Sequence, residues 1–219
     1  MSLPLAKIRK FLELPLLDEA ESLDTFYWKL KSQFLYRRFF GSLGKGSCVL
    51  QPMRLRNVQN IFLGSNVLIN RLSFLLTLQL PGNSPPRLTI GDGTVVGHFS
   101  HITCVGEVTI GNKVLTADKV HISDNTHCYE NPSLAILDQP VISRGHVIIG
   151  DGTWIGENVS ILSCRIGRNC VIGSNSVVVS DVPDYSIAAG VPARVIRRLN
   201  FRSGKWDKIQ CGREGVSAR

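Results

Sequence analysis

Residues 149–178 read IGDGTWIGENVSILSCRIGRNCVIGSNSVV, and one interval governs them. Aliphatic side chains fall at Ile149, Ile155, Ile161, Ile166, Ile172 and Val178, six residues apart except for one five-residue step. A strand alternates faces every two residues, so an apolar anchor every six describes a short strand followed by a corner. Three such units close a triangular coil with the anchors inside, and successive coils would rise by about 4.8 Å, the spacing of paired strands. No single coil buries its own apolar face, so the pattern must continue along the chain.

It continues upstream. Ile90, Val96 and Ile102, then Ile110, Thr116 and Ile122, keep the interval, and Leu63 and Ile69 form a weaker unit. Glycine follows the anchor at 91, 97, 111, 150, 156, 167 and 173, and Gly or Asn occupies 93, 125, 152, 158, 169 and 175. The latter two types tolerate positive φ, which a tight corner demands. Roughly five coils result. An eight-residue step separates Ile102 from Ile110. The period lapses over Leu75–Arg87 and Cys128–His146, which predicts two loops projecting from the body. Loops on a rigid scaffold carry function, and the second is the stronger candidate.

Outside the repeat, Asp18–Phe40 carries a helical stripe of Leu23, Phe26, Tyr27, Leu30 and Phe34, with Asp18 as cap and Glu21 three residues on. Such a stripe is expected to pack on the domain or a neighbouring subunit, with a membrane surface as the lesser alternative. The segment VPARVIRRL at 191–199 reads as a short basic helix. The organisation is therefore all-β: an N-terminal helical extension over 1–45, a β-helix over 46–183 with loops at 75–87 and 128–146, and a C-terminal segment with a basic tail over 184–219.

Composition narrows the function classes. The chain has 219 residues, 43% hydrophobic and 19% charged, which suits a packed domain and not a disordered one. No apolar run is long enough to span a bilayer, and Pro4, Lys7, Arg9, Lys10 and Glu13 interrupt the opening stretch, so no signal peptide is read and a cytoplasmic location is expected. The net charge of +8 gathers at the two ends of the chain and not along its middle. That distribution suits a phosphate-bearing small molecule, or an anionic membrane at the inner face, at least as well as nucleic acid, and no nucleic-acid partner is expected. The six cysteines lack CxxC spacing and read as free, packed thiols.

The hexad run, the phrase IGDGTWIGENVSIL and the closing SNSVVVSDVPDYSIAAGVPARVIRRL resemble hexapeptide-repeat acyltransferases, in particular the branch of galactoside, maltose and surface-polysaccharide O-acetyltransferases. The resemblance implies a left-handed parallel β-helix, a homotrimer with active sites between subunits, and acetyl-coenzyme A as acyl donor with no metal. The acceptor it implies is a sugar or glycan-intermediate hydroxyl, in capsule or lipopolysaccharide synthesis. It places the catalytic base at His127, in HISDNTHCYENP. An alcohol is a poor nucleophile at neutral pH, and an imidazole can take its proton as it attacks the thioester directly. Asp124 could orient that imidazole or bind the acceptor, or else satisfy backbone amides at a corner. His101, near the family's acceptor-binding asparagine, is an acceptor-binding candidate. For the coenzyme, Trp154 and Gly156 match the groove, Ser174, Val179 and Ser180 match later groove positions, and Pro192, Arg194 and Arg197 match the segment at the adenine and phosphates. The family's Thr-Lys before Asp-Val-Pro is Val179-Ser180 here, which leaves more of the phosphate binding to the arginines.

Three other readings stay open. Amino-sugar N-acetyltransferases use related prisms. A γ-type carbonic anhydrase would need three converging histidines, and a scaffold would need no His127.

Overall fold

The computed structural model describes residues 16–209. Helix α1 (Leu16–Phe34) leads into a 3₁₀ turn at Tyr36–Arg38, and the coils begin directly after it. The first coil comprises β1 (Ser42–Leu43), β2 (Cys48–Val49) and β3 (Arg54–Arg56), and the second β4 (Ile61–Leu63), β5 (Leu68–Ile69) and β6 (Phe74–Thr77). The third has β7 (Arg87–Ile90), β8 (Val95–Val96) and β9 (His101–Cys104), and the fourth β10 (Glu107–Ile110), β11 (Leu115–Thr116) and β12 (His121–Ser123). An excursion follows, carrying β13 (Asn125–His127) and β14 (Val141–Ser143). The fifth coil is β15 (His146–Ile149), β16 (Trp154–Ile155) and β17 (Ser160–Leu162), and the sixth β18 (Arg165–Ile166), β19 (Val171–Ile172) and β20 (Val177–Val178). Strands β21 (Ser186–Gly190), β22 (Ala193–Asn200) and β23 (Lys205–Lys208) close the described chain.

Each coil gives one strand to each of three sheets, so every third strand pairs in parallel: β1-β4-β7-β10-β15-β18, β2-β5-β8-β11-β16-β19, and β3-β6-β9-β12-β17-β20. The register stacks the anchors. Leu43, Leu63, Ile90, Ile110, Ile149 and Ile166 align on the first sheet, and Leu55, Leu75, Ile102, Ile122, Ile161 and Val178 on the third. All are buried except Leu55, which packs partly exposed against the core. The body is thus a β-helix of six coils.

Two devices make the stacking possible. Side-chain carboxylates and amides bond the backbone of the coil before them: Ser65 N donates to Asp92, Asp92 N to Asn112 and Asn112 N to Asp151, at 2.7–2.8 Å. The glycine after the anchor serves close approach, since a Cβ on Gly97 would collide with the backbone of Ala117 one coil on. Left-handed corners fall at Gly93, Gly152, Asn158, Asn169 and Asn175 as expected, but also at Leu72, Phe99 and Lys119. Asn125 is no such corner: it opens β13.

Several expectations are corrected. The body starts at Ser42, ahead of 46, because Leu43, Val49 and Leu55 already keep the six-residue interval. The first loop is confined to 78–86, since Leu75 and Thr77 point into the core from β6. The second excursion begins at β13 and returns antiparallel on β14, forming a two-stranded arm over 125–143. VPARVIRRL is not a helix. Ala193 and Val195 turn to the core while Arg194 and Ile196 are exposed, a period of two, and β22 runs antiparallel along the edge strand β21, where its amides find partners. Helix α1 is already formed at Leu16, so Asp18 lies in its first turn and is not its cap.

Candidate functional site

The arm presents His127 at the end of β13, opposite Val141, with its side chain exposed. Cys128 N donates to Pro140 O at 2.8 Å and continues the ribbon one step beyond His127. Further out, buried Gln139 ties the loop to itself: its amide donates to the carbonyls of Asn131 and Leu134 and accepts from Asn131 N. Among the described residues, the His127 imidazole has no side-chain hydrogen-bond partner.

Asp124 is the root of the arm and does not orient His127. It is fully buried, and its carboxylate accepts from Val105 N at 2.9 Å, Gly106 N at 2.7 Å and the Asn125 side-chain amide at 3.0 Å. Its own carbonyl accepts from Arg144 N at 2.8 Å, on the returning side of the arm. Those bonds occupy the lone pairs an acceptor or an imidazole would need. The eight-residue step between Ile102 and Ile110 explains the arrangement: the wide corner at 105–106 leaves amides facing inward, and a buried carboxylate satisfies them.

His101 lies on the outer row of the third sheet, between Phe74 and His121. The Phe74 and His101 ring centroids are 4.9 Å apart, and the two imidazoles stack at 5.5 Å and 27°. Burial pushes the His101 pKa down, and burial plus the neighbouring His101 does the same to His121. The Nε2 of His101 is enclosed without a hydrogen-bond partner among the described residues. His121 belongs to the same ladder. The signal was present in the spacing, because His101 and His121 occupy equivalent strand positions of adjacent coils. His98 is separate, held by Asp118.

The second sheet carries a different outer row. Leu68, Val95, Leu115, Trp154, Val171 and Ile187 pair in register, and the row ends at Arg197 on β22. Leu115 and Trp154 are each 49% exposed, which is unusual for neighbouring apolar side chains on a solvated face. Gly156 and Ser174 stack at the following corner, where a polar cavity of about 410 Å³ is lined by Lys119, Glu157, Asn158, Ser174 and Asn175. Pro192 sits at the turn between β21 and β22, and Arg194 and Arg197 are exposed. Val179 and Ser180 lie elsewhere. They are exposed where the chain leaves the third sheet, the same edge from which the arm departs. One chain therefore brings Trp154, Gly156, Ser174 and Arg197 to one face and corner, and His127, Val179 and Ser180 to the edge opposite that face.

Among the described residues, no group of three or more His, Cys, Asp or Glu side chains is placed to hold a metal ion. Cys48, Cys104, Cys128, Cys164 and Cys170 are free. Burial is the main cause that pushes the Cys104 thiol up to about 12 and the Cys164 thiol to about 11, which makes them packing groups.

The family descriptor "Bacterial transferase hexapeptide (six repeats)" matches residues 146–180. A putative lipopolysaccharide biosynthesis O-acetyl transferase of Escherichia coli K12, WbbJ, is 32% identical over 165 residues, 72% of this chain and 81% of the relative. A probable acetyltransferase of Mycobacterium tuberculosis is 40% identical over 132 residues, 60% of this chain, which spans only 43% of that relative's length. Among solved structures, the hexapeptide-repeat-containing acetyltransferase VCA0836 of Vibrio cholerae, complexed with acetyl coenzyme A, superposes with a TM-score of 0.52 and 28% identity over 84% of this chain and 90% of that one. With its parallel coils and hexad anchors, the chain belongs to the hexapeptide-repeat acyltransferases.

Proposed function

We propose that the protein transfers an acetyl group from acetyl-coenzyme A to a sugar hydroxyl during surface-polysaccharide synthesis, and that it does so as a homotrimer of left-handed prisms. The observation that carries this reading is the outer row of the second sheet, an exposed apolar strip around Trp154 that ends in the cation of Arg197. A pantetheine arm is a long, mostly apolar chain attached to phosphates, and a strip of this composition suits it. Trp154 packs the arm, backbone near Gly156 and the Ser174 corner meet its amides, and Arg194, Arg197 and the Pro192 turn, within the 184–219 segment, hold the nucleotide end.

The division of groups within one chain supports assembly. His127 and the coenzyme row belong to opposite sides of the prism, so a productive site pairs the arm edge of one copy, with Val179 and Ser180, against the row of the next. In that site His127 takes the proton of the acceptor hydroxyl as the oxygen–carbonyl bond forms. The carbon–sulfur bond breaks, and the proton passes to the departing thiolate. His101 is the acceptor-binding residue of this reading; its Nε2 is enclosed and unpartnered, so the ring must turn before a sugar hydroxyl can bond to it.

The test is thiol release from acetyl-coenzyme A across free sugars, nucleotide sugars and amino sugars, with His127→Ala in parallel. Hydroxyl-dependent release that collapses in the variant supports the reading. Release with amino sugars alone would assign the protein to N-transfer.

A further inference from the structure

Helix α1 is amphipathic in the reverse sense. Its polar side faces the body: buried Ser32 accepts from Val49 N at 2.9 Å, Gln33 donates to Ser47 O at 2.6 Å, and Asp24 pairs with Arg71. Its apolar residues face away. Leu23, Phe26, Tyr27, Leu30 and Phe34 follow helical spacing, all are exposed, and Phe34 is 70% exposed. Phe39, just beyond the 3₁₀ turn, is 59% exposed. Folding normally buries such a stripe; of the two expected partners, the domain or a neighbouring subunit, the domain does not cover it.

Charge identifies what covers it. Lys29 and Lys31 flank the stripe on either side of the helix, and Arg37 and Arg38 are exposed beside its end. The Lys31 ammonium lies 4.3 Å from the Trp28 ring centroid and 5.5 Å from that of Tyr36, so this cation stands among aromatics. The described helix's acidic residues, Asp18, Glu19, Glu21 and Asp24, are confined to its N-terminal half, and Asp24 is spent on Arg71. The exposed cations gather at the C-terminal end of the stripe, beside Leu30, Phe34 and Phe39, and an anionic bilayer accepts both that apolar surface and its basic rim.

We infer that α1 and the turn after it form a docking surface for anionic phospholipid, with Phe26, Leu30 and Phe34 entering the interface and Lys29, Arg37 and Arg38 meeting headgroup phosphates. The inference stands independently of the acceptor chosen above, because no residue of this face belongs to the proposed transfer site.

Flotation of the full chain with phosphatidylglycerol-containing and pure phosphatidylcholine vesicles tests it, beside Phe26→Ser/Phe34→Ser and Arg37→Gln/Arg38→Gln. The expected result is partition into anionic vesicles that weakens with salt. Each lost cation should cost about fivefold, and the serine pair should abolish binding. Helicity, solution mass and acetyl transfer to a soluble acceptor should stay unchanged. Absence of binding by the unaltered protein, or equal binding to both vesicles, overturns it. So does a fall in solution mass of the serine variant, which would make the stripe a contact between subunits.

Discussion

The inner rows of the prism and the arm over 125–143 are built on opposite principles. Each inner row repeats one contact from coil to coil, and its anchors from Leu63 onward on the first sheet are 0–1% exposed. The arm is written once, runs antiparallel, and leaves Tyr129, Leu134, Ile136 and Leu137 largely in solvent. Redundant packing gives a scaffold that tolerates no loosening, and the singular element can carry a reactive group without disturbing it.

The sharpest way to break this contrast is His127→Ala. Turnover measured by thiol release should fall about 10²–10⁴-fold, while the melting temperature is unchanged because the side chain is exposed. A large loss of stability instead would make the arm part of the scaffold. Next in size, Ile122→Ala should cost about 2–5 kcal/mol in denaturant unfolding, whereas Leu137→Ala on the arm, at 87% exposure, should stay within about 0.5 kcal/mol. Asp124→Ala joins both regions. It strips acceptors from the amides of Val105 and Gly106, so a loss of about 1–3 kcal/mol is expected, with faster amide exchange at those two positions. Asp124→Asn, which keeps one acceptor oxygen, should lose less.

The smallest effect concerns pH. His101 and His121 titrate below the ordinary value of 6.5 in the folded protein. The unfolded chain therefore takes up protons first on acidification. Their contribution is present above that value and is lost as pH falls through it and through the folded pKa values. Thermal melts should decline from about pH 7.5 to about pH 5.5, and His121→Phe should flatten that slope.

The prism was legible in the sequence because its governing contact is periodic. The anchors of the first coil are less legible, although Leu43, Val49 and Leu55 keep the interval, since GKGSCVLQPMRLR lacks the isoleucine–glycine pairs found later. Corners at Leu72, Phe99 and Lys119 were not legible either: stacking against the adjacent coil imposes left-handed φ on residues that do not favour it. Asp124 is visible as a polar corner, but its task depends on amides eighteen and nineteen positions upstream that no local pattern marks. The basic close was misread because arginines at 194, 197 and 198 fit a helical face and a strand alike, and the edge of the second sheet decided between them. His127 was found through resemblance, and nothing in its neighbours' spacing would have singled it out.

A stack of coils has no intrinsic length, since any coil can seat another of its kind. Here one end lies under α1, which contacts β2, and the other is turned back by β21–β23, whose outermost strand bears Lys205, Asp207 and Lys208. These terminations make the molecule a ruler cut to size rather than a filament. Whole coils could be gained or lost between them in the course of descent, moving the arm relative to either end, with the joints at both ends left as they are.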